Sequence, residues 1–379
     1  MKQTARIIST YTGDTSGVCS ALYELGGMVV MHDPSGCNST YSTHDEPRWY
    51  DTDSLIFISG LTEKDAIFGN DEKVISDTVN AALQLKPRFI AIAGSPIPYI
   101  TGCDFNGIAM EIESRCGIPS FGLETDGMHS YVHGASIAFS AYCERMCKTM
   151  KKSEEISINI LGVTPLDFSV NGSVTSMRKA FTERGIKVMS IMAMESDFSD
   201  IENAGSASVN LVVSSCGLKC AEVLKRKFGI PYVIGTPYGK KVTDLLAISI
   251  LDSSKTGKDK IAVSAIPNAS TVIIGESVTS ISLANAIKAE RDIDAMVISA
   301  VDTPSCLVSD SCINALYEDE IRSKIINAEY IIADPMYKPI CNEKSKFIPL
   351  PHEAFSGRIY RNEIPNIIDD INCIIDQIK

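Results

Sequence analysis

The stretch Lys86-Pro87-Arg88-Phe89-Ile90-Ala91-Ile92-Ala93-Gly94-Ser95-Pro96-Ile97-Pro98-Tyr99-Ile100-Thr101-Gly102-Cys103 decides the fold class. Arg88–Ala93 is short, apolar and without helical periodicity, so it reads as a strand buried on both faces. Gly94–Pro98 then breaks it and turns into a helix. The same grammar recurs along the chain. Ile156–Leu161 runs into Gly-Val-Thr-Pro, Asn210–Val213 into Ser-Ser-Cys-Gly, Thr271–Ile274 into Gly-Glu-Ser, and Tyr330–Ala333 into Asp-Pro-Met. Ala295–Ser299 is a further strand-like run, while Val74–Leu85 and Ala221–Phe228 space their apolar residues as helices do. Strand, turn, helix, strand is the signature of parallel α/β units. The polar stretches Lys148–Glu155 and Leu251–Lys260 read as exposed connections. They divide the chain into 1–152, 153–258 and 259–379, expected to be three Rossmann-like domains with parallel sheets around a shared cleft. The turns after the strands should line that cleft.

Composition narrows the function. With 45% hydrophobic and 22% charged residues the 379-residue chain has a globular mix. Its net charge of -12 repels phosphate backbones, so no nucleic-acid partner is expected. No apolar run is long enough for a membrane span, and the opening MKQTARIISTYTG lacks the apolar core of a secretory signal. A cytoplasmic location follows as the expectation. There the twelve cysteines are buried apolar groups, reactive thiols or metal ligands rather than disulfides. No GxGxxG, GxxxxGK[ST] or GxSxG pattern occurs, so ATP, if used, is held by another protein.

The cysteines sit in suggestive places. Cys19 follows Gly17-Val18, and Cys37 closes His32-Asp33-Pro34-Ser35-Gly36-Cys37 after the strand-like Met28–Met31. Glycine beside cysteine lets backbone amides approach a bulky group such as an iron–sulfur cluster, although spacing alone fits two packed thiols as well. Cys103 stands beyond a strand-to-helix turn, where a helix dipole favours thiolate. Cys216 lies in the turn after Asn210–Val213, with Cys220 one helical turn further. Cys143 and Cys147 share that spacing, and Cys306 and Cys312 occupy another post-strand loop. His129 and His133, with Glu124 or Asp126, could hold zinc or simply open a helix.

Taken in order, several segments resemble the nitrogenase component 1 family, which includes the molybdenum–iron protein subunits, their cofactor-assembly scaffolds, dark-operative protochlorophyllide reductase and nickel-sirohydrochlorin a,c-diamide reductive cyclase. They are Gly17-Val18-Cys19, His32–Cys37, Ser59–Asn70 with its Thr62-Glu63 and Phe68-Gly69, Lys86–Ile90 leading to Ser95-Pro96 and Ile100-Thr101-Gly102, and the later Ile274–Ser277, Tyr330–Asp334 and Pro349–His352. The resemblance implies a dimer, identical or paralogous, with an iron–sulfur cluster at the subunit seam. Cys19 and Cys37 match two of its ligand positions. The third is Ser95 here, which departs from the family's cysteine. Two thiolates from each subunit would hold a [4Fe–4S] cluster; alternatively Cys103 replaces the third and a larger bridging cluster forms. Cys216 lies near the position of a cysteine that binds the catalytic cofactor in nitrogenase, so a further metallocofactor in the cleft is open, but the matching histidine cannot be placed.

The function so implied is that of a nitrogenase-like iron–sulfur oxidoreductase component. It would accept low-potential electrons from an ATP-dependent iron protein and reduce a substrate in the interdomain cleft. Thr62–Gly69 and His44-Asp45-Glu46 are expected near the docking surface, and Cys103, Cys216 and Cys306 in the cleft. A tetrapyrrole-type reductase or cyclase and a non-catalytic metallocluster assembly scaffold are the alternatives. A thiol-lined small-molecule binding protein is the plainest reading of the residues alone.

Overall fold

The structure is a computed structural model that describes residues 5–8, 10, 12–36, 38, 45–195, 198–267, 269–309 and 312–378. Its strands form three sheets, and every pairing is parallel. The first holds β1 (Met28–His32), β2 (Leu55–Ile58), β3 (Ile90–Gly94) and β4 (Ser120–Leu123) in the order β2-β1-β3-β4. The second holds β5 (Ser157–Leu161), β6 (Lys187–Met192), β7 (Val209–Val212), β8 (Tyr232–Ile234) and β9 (Lys260–Ile261) in the order β6-β5-β7-β8-β9. The third holds β10 (Thr271–Gly275), β11 (Ala295–Ser299), β12 (Cys312–Asn314), β13 (Tyr330–Ala333) and β14 (Lys346–Pro349) in the order β12-β11-β10-β13-β14. Strand order therefore reverses once in each sheet, beside β1, β5 and β10. The crevice beyond the strands' carboxyl ends at such a reversal is where ligands bind in open α/β sheets.

Burial on both faces explains the flat apolar runs. Val29 and Met31 point to the helices Asp14–Leu22 and Tyr131–Met146, while Met28 and Val30 point to Asp71–Leu85 and Phe105–Cys116. The cores cross between sheets. One apolar cluster joins Val29, Leu161, Val212 and Ile274, and another joins Ile160, Leu246, Ile287 and the C-terminal Ile374. Shared cores of this kind hold the three carboxyl edges in fixed relation.

One of the two expected connections differs. Leu251–Thr256 is not a linker but the last turns of the helix Gly239–Thr256, with Ser253 buried. The helix ends at Gly257, whose left-handed backbone (φ 69°) sends its N–H to Ser253 O. Polar residues there masked a helix end. β9 then lies beyond residue 258, so the second sheet draws its last strand from the segment expected to begin the third unit. Lys148–Glu155 does run without helix or strand, pinned by Lys148 N–H to Glu202 O and Ser153 N–H to Ser206 O. Among the described residues no helix is long and apolar enough to cross a membrane.

Candidate functional site

Polar side chains converge where the three carboxyl edges meet. Asp167, in the short helix after β5, is the hub, and its side chain is fully buried. Oδ1 accepts from the Tyr131 hydroxyl and Oδ2 from Ser214 Oγ at 2.7 Å. Cys216 Sγ lies 3.9 Å from Oδ2, 3.4 Å from Ser214 Oγ and 3.5 Å from Gly162 O. Tyr131 comes from the first sheet's helices, Asp167, Ser214 and Cys216 from the second sheet's turns. The third contributes His352, whose Nε2 stands 3.4 Å from Asp167 Oδ1.

Each of these groups is set by its own backbone. Asp334 after β13 receives Met336 N–H at 2.9 Å, His352 N–H at 2.8 Å and Ser356 Oγ at 2.8 Å, which fixes the turn carrying His352. His352 Nδ1 accepts Ala354 N–H at 3.3 Å, so the neutral ring carries its proton on Nε2. That nitrogen is buried and has no hydrogen-bond partner. Glu276 after β10 caps the helix Ser277–Arg291 and also takes Ser215 N–H at 3.0 Å, tying the second sheet's turn to the third sheet. Burial, reinforced by the Asp167 charge, holds the Tyr131 hydroxyl and the Cys216 thiol well above their ordinary pKa. Burial likewise raises Asp334, against its three hydrogen bonds.

The space beside the hub is small. A cavity of about 50 Å³ is lined by Asp167, Tyr238, Glu276, Asp334, His352 and Phe355 among others. It has room for one or two waters at ~30 Å³ each, against ~300–1,000 Å³ for ordinary ligand pockets. Cys216 is completely buried behind Asp167 and does not line that space.

Cys19 lies elsewhere, in the helix Asp14–Leu22, packed against Tyr131–Met146. A Cβ on Gly17 would stand 2.2 Å from Tyr131 O, and one on Gly134 would stand 1.8 Å from Asp14 O. The glycine before Cys19 is thus needed for helix-on-helix contact, which corrects its reading as a clearance for a cluster. The same contact delivers Tyr131 to Asp167. Cys19 is fully buried, and burial, then the nearby Glu46 carboxylate, pushes its thiol far up. Arg48 covers that helix, pairing with Glu46 at 2.6 Å and donating to Ser20 O at 2.8 Å. Asp45 and Glu46 are buried rather than part of an acidic docking surface, a second correction; His44 and Cys37 lie outside the described residues. Thr62–Gly69 is exposed: a capping box starts its helix, and Ile67 and Phe68 face solvent.

Comparison with known proteins places this geometry. The family model of the nitrogenase component 1 type oxidoreductases matches residues 16–277. The chain belongs to that family. The nitrogenase iron-molybdenum cofactor biosynthesis protein NifE of Clostridium pasteurianum is 26% identical over 231 residues, 59% of this chain and 49% of that protein. One subunit of the light-independent protochlorophyllide reductase of Prosthecochloris aestuarii is 31% identical over 115 residues, 29% of this chain and 22% of that protein. The chain spans about half the length of the cofactor-biosynthesis relatives it matches. The solved structure "Nitrogenase Cp1 at pH 6.5" superposes with a TM-score of 0.69 at 16% identity, over 100% of this chain and 95% of that one, which shows the same fold.

Within this nitrogenase-type fold the expected site residues separate. Cys216 is at the junction. Cys103 is not: it packs with Met28 and Val30, on the opposite face of the first sheet from Cys19. Burial, then the Asp71 and Asp104 carboxylates, pushes its thiol up to about 12. Ser95 is buried, its hydroxyl donating to His32 O at 3.2 Å. Cys306 is exposed and Cys312 sits in the edge strand β12; neither lines the cleft cavity. Cys143 and Cys220 are buried together, 2.9 Å apart at sulfur, with Met192 Sδ 3.7 and 3.8 Å away. His129 stacks on His133, and its Nδ1 pairs with Asp302 at 3.2 Å instead of joining Glu124 or Asp126. Asp167, Tyr131 and His352 are the junction residues that sequence reasoning missed. His352 had a signal, since it stands in the turn after a strand, but Tyr131 and Asp167 have none without the tertiary fold.

Proposed function

We propose that the chain is a nitrogenase-like reductase component, working as a dimer of three-unit subunits divided near 1–152, 153–258 and 259–379. Its place in the nitrogenase component 1 family carries this reading. Cys19 and Cys37 would hold an iron–sulfur cluster at the seam, and Ser95, with its hydroxyl turned to His32 O, would not contribute. The donor chemistry fits: Cys19 is a thiol in dry, apolar surroundings, where iron can take the place of a proton that burial otherwise retains. When bound, the cluster supplies one-electron transfer at low potential.

The three-way junction serves the proton side of a reduction. His352 Nε2 holds a proton at the edge of the cavity with no competing acceptor in hydrogen-bond geometry. Asp167 stands behind it, ready to stabilise the imidazolium or to exchange protons with the Tyr131 and Ser214 hydroxyls. Such a relay suits a reductase whose electrons arrive one at a time from a separate ATP-dependent iron protein in the cytosol. The docking surface would include the exposed Ile67 and Phe68.

Anaerobic purification with iron and sulfide counts and reduced-state EPR tests this reading. About four irons per dimer are expected, lost in Cys19→Ala and Cys37→Ala; a colourless, iron-free protein overturns it. The junction's polar groups, bonded to one another, favour one rival, an assembly scaffold that carries a cluster without turnover. An iron-loaded protein that transfers its cluster to an acceptor and consumes no electrons with an iron protein would establish the scaffold.

A further inference from the structure

The reversal of strand order in the first sheet falls between β1 and β3, and the crevice beyond it holds three ligating side chains that the proposed reductase role leaves unused. His32 ends β1, Asp71 opens the helix Asp71–Leu85, and Cys103 follows Gly102, which turns the chain through a left-handed conformation (φ 77°). One imidazole nitrogen, one Asp71 oxygen and Cys103 Sγ all lie within 4.8 Å of one another. Among the described residues this is the one such group of three His, Cys, Asp or Glu side chains. His32 Nδ1 is 2.8 Å from Ser59 Oγ, which also takes Asp33 N–H at 3.1 Å. That bond orients the ring and leaves Nε2 as the nitrogen available to a ligand. A surface cavity of about 310 Å³ adjoins the trio, walled also by Leu61, Phe68 and Gly69.

We propose that His32, Asp71 and Cys103 bind a divalent transition-metal ion of the zinc type, with its remaining coordination position open to this cavity. One nitrogen, one oxygen and one sulfur ligand suit zinc and its neighbours and do not suit magnesium or calcium, which demand oxygen. Three protein ligands with an open fourth position make a site that can take water or a small anion. Binding releases the Cys103 thiol proton to solvent, so thiolate and carboxylate balance the ion's two charges. Nδ1–H then donates to Ser59 Oγ, the outer contact that metal-bound imidazoles characteristically make. The site lies across the first sheet from Cys19.

The test uses the full chain, purified anaerobically, stripped with chelator and dialysed against micromolar zinc chloride, with metal counted per chain. One zinc per chain is expected in the wild type and in Cys19→Ser, and none in Cys103→Ser or His32→Gln. Ser59→Ala should bind about tenfold more weakly. Cobalt(II) should give a thiolate-to-metal charge-transfer band in the wild type that Cys103→Ser abolishes. If His32→Gln fails to fold, Cys103→Ser and Ser59→Ala carry the test. A wild type that binds no zinc, a Cys103→Ser protein that keeps its full equivalent, or a Cys19→Ser protein that loses it each overturns the proposal. Iron at the seam is scored in aliquots of the same preparations taken before chelation, so failure here is distinguishable from failure of the cluster reading.

Discussion

The three-unit junction and the His32 pocket sit beyond carboxyl edges of the same kind of sheet, yet they solve opposite problems. At the junction the Asp167 side chain is wholly buried, flanked by donors from all three units, and the space left is about 50 Å³. At the pocket three ligating groups face a cavity of about 310 Å³ from within one unit. The junction uses its polar groups on one another and so doubles as a clasp between units. The pocket does not, and its ligating groups are turned toward a space that a ligand can enter.

Substitution should separate the two. Asp167→Ala strips the acceptor from the Tyr131 and Ser214 hydroxyls, leaving Tyr131 buried without a partner and Ser214 with only Cys216 Sγ, 3.4 Å away. The expected loss is about 2–4 kcal/mol, read as a lower urea midpoint. Cys103→Ser and Asp71→Asn should each stay within about 1 kcal/mol of wild type, since both side chains are only partly buried. Equal losses in the two regions would remove the distinction. Gly134→Ala attacks the junction from a distance, because its Cβ would press on Asp14 O and push Tyr131 away from Asp167. A cost of about 3 kcal/mol is expected. A Gly134→Ala protein of wild-type stability would show that the helix contact does not set the junction.

Thiol labelling sharpens the contrast without mutation. In native protein, iodoacetamide should reach the exposed Cys306 and Cys373 first and the half-buried Cys103 slowly, and should spare Cys216, Cys143 and Cys220 until unfolding. Bound zinc should protect Cys103 further. Peptide mass mapping reads the order, and early labelling of Cys216 would mean that the junction opens in solution.

Much of the fold was legible in the chain because strands buried on both faces leave a local record. Arg88–Ala93, Thr271–Ile274 and Ala295–Ser299 need no partner to be read, and the turns after them mark the ligand edge. The helix end at Leu251–Thr256 was hidden because its polar residues look like a linker until Gly257 is seen to cap them. Site residues were legible only in part. Cys216 announces itself by following a strand. Asp167, Tyr131 and His352 become a set only when three sheets are brought together, and no spacing encodes that. The trio of His32, Asp71 and Cys103 is hidden for the same reason: 71 residues of sequence separate its ends, and β1 and β3 lie side by side only in the sheet.

The smallest effect concerns a second clasp, between the first and third units, where Asp302 accepts Ser130 N–H and Oγ, each at 2.7 Å, and faces His129 Nδ1. Partial burial works against a charged His129, but the bond to Asp302 and its charge outweigh that and raise the pKa above its ordinary 6.5. A raised folded-state value means that this contribution is fully present below about pH 6.5 and is lost as pH rises through the folded value. His129 is nearly half exposed, so solvent screening holds the effect to a few tenths of a kcal/mol. The stability difference between wild type and His129→Gln should accordingly be largest near about pH 5.5 and vanish by about pH 8.5. A difference that grows with pH would mean that His129 is held neutral, and that Asp302 clasps the units through Ser130 alone, by hydrogen bonds without charge.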